Sequence, residues 1–237
     1  MNYEALTNYI SSTPLTWLII TLAAFKLGII IYEKFNKHTL LQPIIIAYVI
    51  ILSLIVYTNT SFEKYFKSVE IIHFFLGPAT VALALPLYKN LKYIKSLFLP
   101  IVLTLFIAGV FSIVIAVSLL YIFGAHLPTI LSMTTKSITA PIAIITSEQI
   151  GAIPSLAVGF VLITGIVGAL FGTIVFKIFK VKYETSKGFA LGLVSHGIGT
   201  ARAIEISEKA AAFAALAMGL SGIFTAIFLP MVITFFK

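Results

Sequence analysis

Six stretches of the chain, 5–25, 39–62, 71–88, 97–135, 149–176 and 210–236, contain no charged residue, and their apolar positions lack the polar face that a surface helix keeps. Several exceed the roughly 20 residues that carry a helix across a bilayer core. The pattern predicts an all-α polytopic membrane protein with continuous spans at 14–33, 41–58, 97–123, 154–177 and 210–236. The last contains Pro230 and is expected to tilt or kink near its end.

Three further segments read differently. FFLGPATVALALP (74–86), SMTTKSITAPIA (132–143) and LVSHGIGTARAIEIS (193–207) carry Gly, Pro or clustered hydroxyls where an ordinary span carries Leu or Ile. Each is predicted to be a helix interrupted at membrane depth. Backbone groups freed there need partners or a wet cavity, and half-helix ends commonly meet a ligand at such breaks. Together with the continuous spans they give about seven to eight membrane segments, several discontinuous or re-entrant, a transporter-like arrangement in one domain covering 1–237.

Shifting the chain by sixty residues aligns Ala143, Ile144, Ser147, Glu148 and Ala152 with Ala203, Ile204, Ser207, Glu208 and Ala212, so a broken segment, Ser-Glu and a small-residue span occur twice. If both broken segments cross, these internal repeats are parallel. The lysines resist that arrangement: the clusters at 34–37, 89–95 and 177–187 cannot all lie inside if every intermediate segment crosses once. Either a broken segment is re-entrant or the positive-inside bias fails locally.

Composition narrows the function classes. Of 237 residues 60% are hydrophobic and 10% charged, which excludes an ordinary soluble domain. The net charge of +8 comes from lysines flanking spans, so it indicates the lipid bilayer and not nucleic acid. The first apolar run has neither a basic leader nor a small-residue cleavage site and reads as a retained span. Absence of cysteine removes disulfides and thiolate metal sites. No HExxH, Walker loop, GxSxG elbow or paired Asp is present, so the expectation is a protein that is not an enzyme and has no cofactor and no metal.

The candidate chemistry gathers in the broken segments. Arg202, the only arginine, lies in an apolar stretch, where a charge is a functional hypothesis; its fork of donors suits a carboxylate, with an internal pair to Glu205 as the rival reading. His196, freed by breaks at Gly197 and Gly199, either donates to a carboxylate and carries a coupled proton or satisfies a backbone carbonyl. Thr200 and, more weakly, Ser195 either receive an anion or cap a half-helix. Thr139, Lys136 and Ser137 form a second cluster, with Pro141 opening a half-helix; Lys136 either binds or snorkels. Thr80, in GPAT, supplies the analogous group in the first broken segment.

LGPATVALALPLYK (76–89), KSITAPIAI (136–144) and SHGIGTARA (195–203), in that order over nearly the whole chain, resemble the LrgB/CidB family of bacterial inner-membrane proteins. The resemblance implies a multi-pass protein of the cytoplasmic membrane and two functional stories. One is a holin/antiholin-like effector controlling murein hydrolase export and cell lysis with an LrgA/CidA-like membrane partner. The other is carriage of a small carboxylate anion, as in the related half of the plastid glycolate/glycerate transporter. The broken segments and the isolated arginine favour secondary transport of a small monocarboxylate such as pyruvate or glycolate, with Arg202, His196, Gly197, Thr200, Thr139 and Thr80 as the substrate site. Lys136, Ser137, Ser195 and Glu205 stand as secondary candidates. Proton or sodium coupling and a homodimer remain open.

Overall fold

The structure, a computed structural model, describes residues 14–36 and 41–235, arranged in two compact units, Met1–Ala82 and Leu83–Lys237. It is all-helical over these residues, and five of its helices are long and apolar enough to cross a membrane. Prolines mark where helices begin. Of 9 prolines, all but Pro230 fall in the first three residues of a helix, where the missing N–H is harmless and the fixed φ fits. Left-handed residues mark several ends: Asn36, Asn59, Gly124, Gly151 and Lys180 all have positive φ.

The first unit holds α1 (Pro14–Lys34), α2 (Pro43–Tyr57), α3 (Phe62–Ser68), α4 (Glu70–Phe74) and α5 (Leu76–Ala82). The α1 and α2 helices approach so closely at Gly28 that a Cβ there would lie 2.6 Å from the Pro43 carbonyl oxygen. Trp17 of α1 is fully buried edge-on against Tyr65 of α3, 5.4 Å between ring centroids. The first of the segments expected to break carries single turn residues at Phe75 and Leu83, with Pro78 in the opening turn of α5, yet Glu70–Lys89 taken together is one of the five runs long and apolar enough to cross.

The second unit holds α6 (Ala84–Lys89), α7 (Leu91–Ser96), α8 (Phe98–Ile122), α9 (Leu127–Met133), α10 (Ala140–Ile150), α11 (Pro154–Ile178), α12 (Glu184–Ile204) and α13 (Glu208–Phe235). Helices α8, α11 and α13, of 25, 25 and 28 residues, are long and apolar enough to span. Between them lie two segments that turn back on themselves.

The first hairpin comprises α9 and α10. Residues 134–139 form a run of tight turns, and the Ser132 hydroxyl accepts from the Ile153 amide at 2.9 Å. A straight path over those 21 residues would separate the two groups by about 30 Å. The chain therefore rises from Ser132, turns, and descends along α10 to the foot of α11.

The second hairpin is α12 itself, broken at His196 (φ 42°, ψ −127°). A Cβ on Gly199 would lie 2.2 Å from the Leu191 carbonyl oxygen, a contact that no straight helix permits eight residues apart. The Ser207 hydroxyl donates to the Glu184 carboxylate at 3.0 Å, so the end of the hairpin has returned to its beginning. Its first arm then runs parallel to α13: Cβ atoms on Gly188 and Gly192 would each lie 2.0 Å from the carbonyl oxygens of Ala210 and Ala214.

This geometry gathers the lysines of the second unit. Lys89 pairs with Glu208 at 2.9 Å and Lys209 sits over the Tyr93 ring, which brings the α6–α7 region, both ends of α12 and the start of α13 to one face. Among the described residues, every lysine of this unit other than Lys136 belongs to that face. The 60-residue shift pairs α10 and α11 with the second arm of α12 and α13.

Candidate functional site

The two hairpin tips reach mid-depth. Lys136, in the turn of the first, donates from Nζ to Ser112 Oγ at 2.7 Å and to Ser137 Oγ at 2.9 Å. Ser112 lies 14 residues into α8, about 21 Å from one end and 15 Å from the other. His196, at the tip of the second, lies 3.0 Å from the Val161 carbonyl, which accepts from its Nε2–H. Val161 stands about a third of the way along α11, roughly 10 Å from its start and 26 Å from its end.

Around His196 the packing is close because α11 presents glycines to it. A Cβ on Gly165 would lie 2.7 Å from His196 Nε2, and one on Gly168 would lie 1.8 Å from Ser195 Oγ. Thr200 turns its hydroxyl back to the His196 carbonyl at 2.8 Å, satisfying an acceptor released by the break. Thr200 thus satisfies the interrupted backbone, whereas His196 bonds a carbonyl of the unbroken α11 and not one freed by the break. Ser195 is fully buried, and its hydroxyl has no hydrogen-bond partner among the described residues.

The glycines act otherwise than expected. The left-handed residue is His196 itself, and neither Gly197 nor Gly199 has positive φ. A Cβ on Gly197 would meet nothing within 4 Å, whereas Gly199 is required by the return of the chain past Leu191.

Arg202 is in the last turn of α12, at the lysine-rich face and away from the tip, and its Nη1 pairs with Glu205 Oε2. The guanidinium side chain is 12% exposed and the carboxylate side chain 42%. The charge is thus met within the chain and close to the membrane boundary. Thr139 is the N-cap of α10, without a side-chain capping bond. The Thr80 side chain lies outside the described residues.

The tips share a cavity of about 50 Å³ whose polar wall is Ser112, Thr134, Ser137, Ser221 and Thr225, with Leu193 and Val194 from the second hairpin. A larger groove of about 1000 Å³ opens at the lysine-rich end, between α8 and the first arm of α12, with Lys182 and Lys209 at its rim. Of the substrate-site candidates, His196 and Thr200 are bonded to one another through the break, but none of Arg202, His196, Gly197, Thr200 and Thr139 lines either cavity. Ser137 alone of the wider set does.

Sequence reasoning missed Ser112, Ser221 and Thr225, single hydroxyls within unbroken apolar helices. It also missed the small-residue register Gly188–Gly192 against Ala210–Ala214, although GFALG is a small-xxx-small pattern visible in the chain.

Fold and site define a polytopic helical protein of the bacterial cytoplasmic membrane, with a helix broken at His196 packed among helices long enough to span. The chain belongs to the LrgB-like family, whose model matches residues 21–235. It is similar to the proteins named "Antiholin-like protein LrgB" of Bacillus mycoides (strain KBAB4), Bacillus cereus (strain B4264) and Bacillus anthracis (strain CDC 684 / NRRL 3495). Each is 30% identical over 223 residues, covering 94% of this chain and 97% of the relative. No solved structure matches the chain.

These relatives correct the expectation of carboxylate transport, because they carry the antiholin-like name throughout. The physical premise of that expectation also weakens. It rested on an isolated Arg202 facing a central cavity, and Arg202 is paired at a helix end.

Proposed function

We propose that this chain is an antiholin-like membrane protein that restrains murein hydrolase export and cell lysis, acting with a small LrgA/CidA-type membrane partner. The observation that carries this reading is near-complete, 30% identical coverage of proteins bearing that name. The architecture is compatible with a restraining role. The spans α8, α11 and α13 keep large apolar side chains outward, among them Phe111, Ile163 and Ile227, and such surfaces suit association with another membrane helix.

The same reading takes the two hairpins as inverted copies of one unit. In support, the sixty-residue shift superposes Lys136 on His196 at the tips, and Ser132 beside Ile153 on Gly192 beside the Phe213–Ala214 step. Five long helices, the shorter α2 and two hairpins then make up the membrane segments.

Deletion of the gene in its host is the direct test. Zymography of the extracellular fraction and the rate of detergent-triggered lysis are the readouts. The expected result is more released hydrolase activity and faster lysis, both reversed by the intact gene. Unchanged hydrolase release and lysis on deletion would refute the proposal, and failure of a tagged chain to co-purify the LrgA-type protein would remove the partner from it.

A further inference from the structure

The cavity between the hairpin tips holds a combination that the antiholin-like reading does not use. Lys136 is 8% exposed, and among the described residues no carboxylate forms an ion pair with it. An ammonium at mid-depth needs a compensating negative charge or must give up its proton. Its hydrogen bonds go to Ser112 and Ser137, both lining the cavity. Each serine oxygen accepts from Lys136 and so keeps its own hydrogen for an acceptor.

Across the cavity, Ser221 and Thr225 of α13 are buried, and their hydroxyls make no hydrogen bond among the described residues. Thr134 spends its hydrogen on the Leu131 carbonyl at 2.6 Å. Four hydroxyl hydrogens therefore converge on one small space, with a cation one hydrogen bond behind two of them. Four of the five lining hydroxyls can thus donate into the space, Thr134 alone offering only an acceptor, and with positive charge behind them the site suits an anion. The cavity of about 50 Å³ is ample for a monatomic anion.

We propose that this cavity is a binding site for a single halide ion, chloride under ordinary ionic conditions, which neutralises Lys136 and ties the first hairpin to α8 and α13. The ion is structural: it fixes the tip by bridging hydroxyls from three elements.

The test uses the full-length protein purified in detergent and exchanged into sodium chloride, sodium bromide or sodium gluconate at equal ionic strength. Thermal unfolding is followed by intrinsic fluorescence. Chloride and bromide are expected to raise the midpoint saturably by several degrees over gluconate. Lys136→Met abolishes the difference, and the Ser221→Ala/Thr225→Val double variant, which leaves the lysine in place, shifts half-saturation to at least several-fold higher halide. A crystal or nanodisc structure in bromide places the ion between Ser112, Ser137, Ser221 and Thr225. A midpoint independent of halide overturns the proposal, since neutral lysine or ordered water would give that result. A halide shift that persists undiminished in both variants also overturns it, by placing the ion elsewhere.

Discussion

His196 holds its backbone at φ 42° and ψ −127°, a region that side chains with a Cβ rarely occupy, and what keeps it there is packing and the Nε2–Val161 bond. Strain and side-chain bond can be separated. His196→Ala loses the bond and keeps the strain, whereas His196→Gly loses the bond and relieves the strain. The glycine variant is expected to unfold at a higher temperature than the alanine variant, by the equivalent of about 1 kcal/mol. Equal melting would show that the residue is not strained. A second pair tests the glycines. Gly199→Ala drives a Cβ into the Leu191 carbonyl, a backbone atom that cannot swing aside, and should cost about 2 kcal/mol or more. Gly197→Ala meets open space and gains helix propensity, so its stability should be unchanged or up by as much as about 1 kcal/mol. The order was not readable from SHGIGTARA itself. Two glycines beside a histidine identify a break, but which residue turns left-handed depends on what α11 offers across the interface. Arg202 illustrates the same limit: Glu205, three residues on, was visible as a partner, but the depth of the pair became clear only once the hairpin was seen to return.

At the scale of elements, proline and glycine positions made most helix starts and several ends legible, because their backbone constraints act locally. The interruption of 132–143 and 193–207 was legible for the same reason. The return of each hairpin was not, since a break followed by more helix has the same pattern whether the chain continues across or folds back. What fixes the return of α12 is its contact with α13, where Gly188 and Gly192 let backbone approach backbone. Gly192→Leu should therefore detach the first arm from α13. The expected signs are a melting transition lowered by the equivalent of about 3 kcal/mol and faster protease cleavage near Lys182 and Tyr183, where the arm begins. Gly159→Ala, on α11 with nothing within 4 Å of a Cβ, is the control and should leave both readouts as they are. If Gly192→Leu behaves like Gly159→Ala, the close contact does not hold the hairpin.

For the second unit as a whole, re-entrance and lysine distribution make one joint statement about sidedness. The lysines at 89, 92, 95, 177, 180, 182, 187 and 209 share a face, and the positive-inside bias assigns that face to the cytoplasm. The α8–α9 corner and the foot of α11 then face outward. The chain contains no cysteine, so single cysteines can be introduced without background. In intact spheroplasts, His126→Cys should react with a membrane-impermeant maleimide, and Lys180→Cys should react only after permeabilisation. Glu205→Cys is the decisive position. If α12 is a hairpin, residue 205 lies on the side of Lys180 and is silent until the membrane is opened. If α12 crosses, residue 205 lies with His126 and is labelled at once. Immediate labelling at 205 with protection at 180 would refute the hairpin, and prompt labelling at 180 with silence at 126 would invert the orientation while leaving the hairpin intact.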